Sequence, residues 1–506
     1  MTRKHHLALC LSLVLTSAAF AQQAAQRQTA AQTQQDLQTE YAAENIFKVY
    51  FPNAEMARKA AITFHHAVLE SRYSEGHLVM ELDAQEMSQL QSFGFRLARA
   101  DEFITQRRAF LDQMNRNSIS RPSASGAVGD QVVVQSIPSF ACYETVEETY
   151  AAAQGFTTTY PNLAAWTDVG NSWEKGAGIG GYDIFVLKLT NKSITGSKPK
   201  LFVNSAIHAR EYTTAPLNLS FARWLLQGYG TNADATWILD HHEVHLMLQT
   251  NPDGRKKAES GLSWRKNTNQ AYCGATSNTR GADLNRNFSF SWNSTGGSGS
   301  SGDQCNLTYR GPSAGSEPET QAIEAYVRSL WPDRRGPAKT DAAPADTSGI
   351  HIDVHSYSQL VLWPWGDTNT PAPNGAALQT LGRKFAFFNG YTPQQSIGLY
   401  ATDGTSDGVS YGELGVAAYT IELGTSFFQS CTDYTNTIQP NNLQALIYAA
   451  KVVRTPYLTP GGPDVTNVAL SSGTVPAGTA VTLTASATDT RFNNSNGAEA
   501  TQNIGA

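Results

Sequence analysis

The stretch PKLFVNSAIHAREYTT, residues 199–214, joins an apolar run to a histidine, an arginine and a glutamate that lie within four positions. The run PKLFVNSA is typical of a buried β-strand, and His208 and Glu211 follow directly after it. A histidine and a glutamate at this spacing are, on their own, more often a capping or salt-bridging pair at a strand-to-helix turn than a binding site. Whether His208 and Glu211 belong to a functional site therefore depends on which residues of other segments lie at the same strand end.

Length and composition indicate several domains and a large apolar core. The chain has 506 residues, a formal charge of −6, 16% charged residues and 41% hydrophobic residues. This mild acidity gives no reason to expect nucleic acid as a partner, and no Lys/Arg-rich run suggests a polyanion. No segment reaches the ~20 consecutive apolar residues that a membrane span requires.

The N-terminus has the three-part pattern of a secretory signal. MTRKHH is basic, LALCLSLVL is apolar and TSAAFA ends in small residues, so we expect a signal peptide over residues 1–21 and a secreted protein. Cys10 would leave with the signal, and four cysteines remain in an exported chain, which suggests two disulfides with three possible pairings. We favour Cys273–Cys305, which would close the Gly/Ser-rich loop SWNSTGGSGSSGDQC, and Cys142–Cys431 follows by elimination.

Residues 44–112 alternate strand and helix patterns, which predicts a small α+β domain within a segment 22–120. RNSISRPSASGAVGDQ, residues 116–131, is typical of an exposed, cleavable linker. Residues 138–457 alternate apolar β-like runs with helical patterns, which predicts an α/β sheet covered by helices. Residues 460–506 are rich in Thr, Ser and Val and predict a partial β-sandwich-like module of two or three strands.

A third ligand could complete a metal site with His208 and Glu211. A catalytic zinc ion usually has three protein ligands and one open position, and an open α/β sheet carries its site at the C-terminal ends of its strands. In GIHIDVHSYSQ, the residues His351, Asp353 and His355 share one face of an alternating strand, and His355 is nearest the C-terminal end. We therefore predict His355 as the third ligand.

Other polar residues could complete an active site. AAYTIELG buries a carboxylate, Glu422, at the end of an apolar strand, where it must be ion-paired, protonated or catalytic. Arg265 in SWRKN and the pair Asn285 and Arg286 in GADLNRNFS are each individually typical of surface or loop-tethering residues. Together they could bind a substrate carboxylate, because a guanidinium fork and an amide match its geometry.

Six segments, in this order along the chain, resemble the motifs of the zinc metallocarboxypeptidase family, the funnelins that include carboxypeptidases A and B and bacterial carboxypeptidase T: HAREYTT, TNPDG, SWRKN, DLNRNF, IDVHSYSQLVLWPWG and AYTIELG. The resemblance covers about residues 138–457. It implies an α/β fold with a mixed twisted sheet covered by helices. It also implies that the domain at residues 44–112 is an inhibitory pro-domain.

The resemblance implies a metal site with one Zn²⁺ ion per catalytic domain. Its ligands would be His208, Glu211 and His355, with Glu422 as the general base that takes a proton from water and passes it to the leaving amine. Asp283 would be the partner that orients His208.

The resemblance also implies how substrate binds. Arg265 would stabilise the negative charge on the carbonyl oxygen, and Asn285 and Arg286 would bind the terminal carboxylate of a peptide or protein substrate. Tyr400 would cap the substrate and Arg210 would contact it farther from the scissile bond. The chain would then be a secreted zinc carboxypeptidase with peptide C-termini as substrate.

Asp407 lies seven residues after Tyr400, where the family carries the residue at the base of the side-chain pocket. An acid there would favour C-terminal Lys or Arg. The chain reads SDGVSYGELG, whereas the family usually has DW or DDW, so Asp407 is alternatively a neighbouring structural aspartate.

A second histidine-rich segment, ILDHHEVHLMLQTNPDG, is predicted to be a sheet strand with a solvated or paired polar face, since Val244, Leu246 and Leu248 alternate. Three other functions remain open at this stage. The central domain could be a peptidoglycan stem-peptide amidase on the same scaffold, or a catalytically dead binding module. The domain at residues 44–112 could be an adhesion domain that stays attached.

Overall fold

The computed structural model describes residues 45–64, 67–72, 75–105, 136–137 and 139–489. The predicted signal peptide, the predicted linker at 116–131 and the last seventeen residues lie outside these ranges, so the expectations for them stay predictions.

The N-terminal unit, residues 45–105, is a four-stranded sheet with helices. Its strands pair in the order β2-β3-β1-β4, and the β1 pairings are antiparallel. The sequence patterns indicated two strands, but both edge strands were missed. Each edge strand carries two charged side chains in four or five residues, so its apolar alternation is weak. The elements are β1 (Ile46–Tyr50), α1 (Ala54–Thr63), β2 (Val68–Arg72), β3 (His77–Glu81), α2 (Ala84–Ser92) and β4 (Arg96–Arg99).

The central unit is built on a mixed eight-stranded sheet, which confirms the predicted α/β class. The strand order is β11-β10-β12-β9-β7-β8-β6-β5. Strands β12, β9, β7 and β8 are parallel to one another, β10 is antiparallel to β12 and parallel to β11, and β6 is antiparallel to both β8 and β5. The strands are β5 (Ala164–Asn171), β6 (Asp183–Leu189), β7 (Lys200–Ser205), β8 (Glu243–Met247), β9 (Ile350–Ser356), β10 (Leu360–Trp363), β11 (Thr392–Gln395) and β12 (Ala417–Leu423).

The middle strands are buried on both faces because helices cover the sheet. Every residue of β9 is buried, and parallel strands covered in this way are expected to be apolar along their whole length. Polar side chains in such a strand are therefore exceptions that need partners. The longer helices of the central unit are α3 (Val146–Thr159), α4 (Thr214–Gly228), α5 (Ala233–His241), α6 (Pro252–Glu259), α7 (Pro318–Leu330), α8 (Gly375–Asn389) and α9 (Gln439–Val452).

Helix starts follow the local sequence. Thr145 and Glu148 form a reciprocal capping box at the start of α3. The Asn251 side chain accepts from the Gly254 backbone N–H at the start of α6, where Pro252 occupies a first-turn position that needs no N–H donor. Shorter helical turns span Trp173–Gly176, Leu284–Arg286, Ser396–Gly398, Gly408–Glu413, Cys431–Asp433, Tyr434–Ile438 and Thr459–Gly461.

The N-terminal unit packs on the central unit through one apolar cluster. Tyr357 and Phe427 of the central unit belong to the same buried core as Val49 and Leu78 of the N-terminal unit. An antiparallel bridge joins Glu70 to Ser426 next to this contact. The packed surface lies directly after β9 and β12.

The C-terminal hairpin, β13 (Asp464–Leu470) and β14 (Leu483–Thr488), agrees with the predicted strands in this region. Lys384 of α8 is 3% exposed and binds the Asp464 carboxylate at 2.7 Å, which ties the hairpin to the central unit. Most other hairpin side chains are exposed.

Both predicted disulfides are present. Cys142 is bonded to Cys431 across 289 residues of sequence, and Cys273 is bonded to Cys305 across 32. Within the described ranges, no helix combines the length and apolarity needed to cross a bilayer.

Candidate active site

Three parallel strands, β7, β9 and β12, bring the key polar residues to one edge of the sheet. His208 and Glu211 follow β7, His355 is the penultimate residue of β9, and Glu422 is the penultimate residue of β12. His355 and Glu422 are register partners, so their side chains lie on the same face of neighbouring strands. The strand ends thus collect residues that are far apart in sequence.

The turn after β7 is fixed by its own hydrogen bonds. Ala206 has a φ of 55°, a left-handed conformation that is costly for a residue with a side chain and marks a constrained turn. The Thr214 hydroxyl accepts from the Ala206 N–H at 3.0 Å and donates to the Glu211 carbonyl at 3.0 Å. This turn directs His208 and Glu211 toward β9.

The metal cluster consists of His208, Glu211 and His355, all buried, whose ligand atoms lie within 4.8 Å of one another. The Nδ1 atoms of the two histidines are 3.2 Å apart. Glu211 Oε1 is 2.7 Å from His208 Nδ1, and Glu211 Oε2 is 3.1 Å from His355 Nδ1. The sequence prediction that these three residues converge therefore agrees with the geometry.

The metal cluster fits a zinc ion. Zinc prefers nitrogen and oxygen donors in a tetrahedron with bonds of about 2.0–2.1 Å, for which donor atoms must lie roughly 3.3 Å apart. The separation of the two Nδ1 atoms is close to that value. Two imidazoles and one carboxylate leave a fourth position for water or substrate, as in catalytic zinc sites.

Each histidine of the metal cluster has a carboxylate at its other nitrogen. His208 Nε2 lies 3.0 Å from Asp283 Oδ1, as the sequence prediction for Asp283 requires. His355 Nε2 lies 3.1 Å from Asp353 Oδ2. Alternation in the sequence places Asp353 on the strand face of His355, but it indicates no role for Asp353. The alternation of GIHIDVHSYSQ was the available signal for this contact.

Glu422 is 5% exposed, and its Oε2 atom has no hydrogen-bond partner among the described residues. Burial raises the pKa of Glu422 to about 8, although the charges of His355 and Arg265 act in the opposite direction. A buried carboxylate with an unsatisfied oxygen is costly unless a ligand or substrate completes it.

Arg265 and Asp283 form a buried pair beside the metal cluster. Arg265 Nε and Nη2 donate to Asp283 Oδ2 at 3.1 and 2.8 Å, whereas Arg265 Nη1 is buried and has no partner within the described ranges. Burial alone would raise the pKa of Asp283, but Arg265 and His208 hold that pKa well below its ordinary value. One N–H group of Arg265 thus remains for another acceptor.

Asn285, Arg286 and Tyr400 line one solvent-open pocket together with Glu422 and the two histidines. Arg286 Nη2 lies 3.4 Å from the Tyr400 hydroxyl. The structure therefore brings together the three residues predicted to bind the substrate end.

Asp407 also lines this pocket, together with Leu362, Leu399, Thr402 and Thr405. Its carboxylate accepts from the Thr405 hydroxyl at 2.6 Å. In the described part of the chain, no basic side chain lies within ion-pair distance of Asp407. Burial raises its pKa.

Arg210, predicted to contact substrate farther away, is fully buried beneath the ring of Phe427, with its Cζ atom 4.1 Å from the ring centroid. It also donates to the Ser263 hydroxyl at 3.1 Å. Since Phe427 packs into the N-terminal unit, Arg210 lies next to that interface.

The second histidine-rich segment contains the predicted strand, β8, although His241 lies at the end of α5 and not in a strand. His245 Nδ1 lies 2.7 Å from the Tyr326 hydroxyl, and His245 Nε2 lies 3.1 Å from Glu243. The polar face of β8 is therefore paired.

A profile of the zinc carboxypeptidase family matches residues 149–445, more than half of the chain. The chain belongs to the zinc carboxypeptidase family. The match spans the metal cluster, Glu422 and the arginines described above.

Zinc carboxypeptidase relatives confirm the resemblance. The zinc carboxypeptidase of Saccharothrix mutabilis subsp. capreolus is 30% identical over 309 residues, which is 58% of this chain and 64% of that protein. Human carboxypeptidase A1 is 33% identical over 247 residues, 48% of this chain and 52% of that protein. The chain thus spans about half to two thirds of the length of these curated relatives.

The fold is also that of solved carboxypeptidases. The crystal structure of carboxypeptidase A from Helicoverpa armigera has a TM-score of 0.59 and 20% identity, and the match covers 82% of this chain and 98% of that one. Because the sequence identity is 20%, this structural similarity establishes the fold of the zinc carboxypeptidase family member and nothing further.

Proposed function

We propose that this chain is a secreted, zinc-dependent carboxypeptidase that removes C-terminal residues from peptides and proteins. The observation that carries the proposal is the convergence of the metal cluster beside the buried, partly unsatisfied carboxylate of Glu422. Membership of the zinc carboxypeptidase family supports the same reaction.

In this proposal His208, Glu211 and His355 hold the zinc ion. When bound, zinc supplies a Lewis acid for the scissile carbonyl and makes water a stronger acid. Glu422 takes a proton from the attacking water at Oε2 and passes it to the nitrogen of the leaving amine. Burial raises the pKa of Glu422 to about 8, but a nearby dication favours the ionised form, which is the form that can act as a base.

Arg265 supplies the donor for the negative charge that develops on the scissile carbonyl oxygen. Asp283 holds the Nε and Nη2 side of the guanidinium, so the remaining Nη1 group is buried, preorganised and unpaired among the residues described. A donor fixed in advance stabilises a developing charge without reorganisation at the moment of reaction.

Asn285 and Arg286 bind the terminal carboxylate and thereby restrict cleavage to the last peptide bond. The Arg286 guanidinium matches a carboxylate in shape and charge, and its Nε atom is buried without a partner within the described ranges. Tyr400 lines the same pocket beside Arg286. In this proposal it caps the bound residue.

We propose a preference for C-terminal Lys or Arg. Asp407 lines the pocket, is 6% exposed and has the Thr405 hydroxyl but no basic side chain within reach in the described ranges. A buried carboxylate without a cation is costly, and a basic side chain of the substrate would provide that cation.

We propose that the N-terminal unit inhibits the central unit until it is removed. The unit packs on Tyr357 and Phe427, and Phe427 in turn covers Arg210. Burial and the charge of Arg265 lower the pKa of Arg210 to about 10, and the negative charge of Glu81 in the N-terminal unit acts in the opposite direction. A carboxylate whose charge acts on a substrate-binding arginine would disfavour the binding of an acidic substrate group there.

The experiment compares peptides that are identical except for a free or amidated C-terminus, before and after limited proteolysis of the full chain. We expect cleavage of the free peptides only, a higher rate after proteolysis, loss of activity with a chelator and recovery with zinc. Activity that survives the chelator, or equal rates on amidated peptides, would contradict the proposal. N-terminal sequencing of the protein from culture medium tests secretion and removal of the N-terminal unit.

A further inference from the structure

The strand that carries His355 also carries a second buried carboxylate, Asp353, on the same face. Asp353 is 1% exposed, and its Oδ2 atom lies 3.1 Å from His355 Nε2. The contact is on the side of the imidazole ring opposite to the metal cluster, because His355 Nδ1 faces Glu211 and His208.

Asp353 is surrounded by hydrogen-bond donors. Asn204 Nδ2 donates to Oδ1 at 2.7 Å, the Ser406 hydroxyl donates to Oδ2 at 2.5 Å, and His355 Nε2 approaches the same Oδ2. An ionised carboxylate only accepts hydrogen bonds. His355 Nε2 must therefore carry the proton, which leaves the Nδ1 lone pair for the metal.

Asn285 also lies near His355 Nε2, but it does not act as the hydrogen-bond acceptor of that nitrogen. Asn285 Nδ2 lies 3.2 Å from His355 Nε2, but Asn285 Oδ1 accepts from the Ser406 backbone N–H at 2.9 Å. This second contact fixes the amide orientation, so Asn285 presents a donor to a nitrogen that already carries a proton. The Asn285 amide thus stays available for substrate, and Asp353 is the acceptor for His355.

The two carboxylates behind the metal cluster differ in charge balance. Asp283 is neutralised by Arg265, whereas the three donors around Asp353 include no arginine or lysine. A carboxylate without a cationic partner makes the imidazole it binds more basic and therefore a stronger metal ligand. Asp353 therefore raises the basicity of its histidine more than Asp283 does.

We propose that Asp353 is a positioning residue that fixes the tautomer and ring orientation of His355 and strengthens zinc binding. The inference rests on the proposed function, since it concerns the same metal cluster. Asp353 also holds Ser406, whose backbone N–H orients Asn285. One carboxylate therefore supports both the metal ligand and the residue that binds the substrate end.

The hydrogen-bond network of Asn204, His351 and Ser410 allows Asp353→Asn to be made without loss of hydrogen bonds. His351 Nε2 lies 2.7 Å from Asn204 Oδ1, and His351 Nδ1 lies 2.6 Å from the Ser410 hydroxyl. In Asp353→Asn, the Asn204 amide can flip and His351 can change tautomer, so the hydrogen bonds on that side are kept. The substitution then removes the negative charge and little else.

The test measures zinc affinity of the metal-stripped full chain by competition with a chromophoric chelator. We expect Asp353→Asn to bind zinc roughly 10- to 100-fold more weakly than wild type, while the metal-stripped variant unfolds at nearly the wild-type temperature. The control is Ser410→Ala, which alters the far end of the network without touching His355, and it should keep wild-type zinc affinity.

Unchanged zinc affinity in Asp353→Asn would overturn the inference, and so would an equal loss in Ser410→Ala. If Asp353→Asn does not fold, the ring ¹⁵N shifts of His355 in the metal-stripped wild type decide, measured at a pH high enough for the ring to be neutral, with His355→Gln for assignment. A neutral ring with its proton on Nε2 supports the inference, and one with its proton on Nδ1 overturns it. Failure of the proposed function is distinct, because the wild type itself would then show no zinc-dependent cleavage.

Discussion

The metal cluster with Glu422 and the carboxylate cluster of Asp253, Glu317 and Glu319 both bury acidic side chains in the central unit. Burial raises the pKa of Glu422 to about 8 in the first group. In the second group, burial raises the pKa of Asp253 to about 7 and that of Glu319 to about 8. Neither burial nor pKa therefore distinguishes Glu422 from Glu319.

Hydrogen bonding does distinguish them. In the carboxylate cluster every carboxylate oxygen has a donor; for example, Glu319 Oε1 accepts from the Trp173 N–H at 2.7 Å and Glu319 Oε2 accepts from Asn267 Nδ2 at 3.1 Å. In the metal-cluster group, Glu422 Oε2 and Arg265 Nη1 have no partner in the described part of the chain. Shifted pKa values mark buried charge, and unsatisfied atoms mark where a substrate is expected.

The sharpest comparison exchanges one buried glutamate for glutamine in each group. Glu422→Gln removes the base but keeps the shape, so we expect kcat to fall about 10²- to 10⁴-fold with zinc still bound. Glu319→Gln should retain wild-type kcat, because Glu319 has no unsatisfied oxygen to offer a substrate. Both variants are characterised by steady-state kinetics and by their zinc content. Similar kcat values for the two would contradict the claim that unsatisfied atoms mark the catalytic group.

Arg265→Ala tests the unpaired Nη1 atom. Removal of one preorganised donor typically lowers kcat about 10²- to 10³-fold, and the loss should appear in kcat more than in KM. Since Asp283 would lose its cation, zinc content must be measured on the same preparation. A change confined to KM would assign Arg265 to ground-state binding.

Asp407→Asn tests the pocket. Loss of a hydrogen bond to a charged group costs about 1.5–3 kcal/mol, so we expect kcat/KM for peptides ending in Lys or Arg to fall roughly 10- to 100-fold. Peptides ending in Leu or Phe, which do not need the charge, serve as the control. Equal losses on both peptide series would make Asp407 a structural aspartate.

The smallest expected effect concerns the pH dependence of stability. Glu319 has a folded-state pKa of about 8, above its ordinary value of 4.5. The stability it contributes is therefore complete below pH 4.5 and is lost as the pH rises through 8. Glu319→Gln cannot ionise, so its unfolding temperature relative to wild type should increase from pH 4.5 to pH 8. A constant difference across this range would show that Glu319 does not titrate.

The sequence predicted the parts of the molecule that depend on local patterns. Apolar runs predicted β7, β9 and β12, and the position of His355 near a strand end followed from alternation alone. Parallel strands then required their ends to meet, which brought the metal cluster together.

The sequence did not predict contacts that depend on distant loops. The role of Asp353 depends on Ser406 and Asn204, which reach it from other segments, and no spacing in GIHIDVHSYSQ records those partners. The edge strands β2 and β4 were missed because their charged side chains leave little apolar periodicity. The depth of Arg210 was missed because Phe427, which covers it, follows a different strand.

The bond joins Cys142 to Cys431, 289 positions apart in sequence, and His208, Glu211, His355 and Glu422 all fall inside that span. A protease that nicks one exposed loop between the two cysteines would therefore produce a two-piece enzyme that still travels as one molecule. Such nicked molecules would separate on a gel only after reduction. Cleavage before Cys142, in contrast, leaves the N-terminal unit attached only by its packing, so it can leave without any reductant.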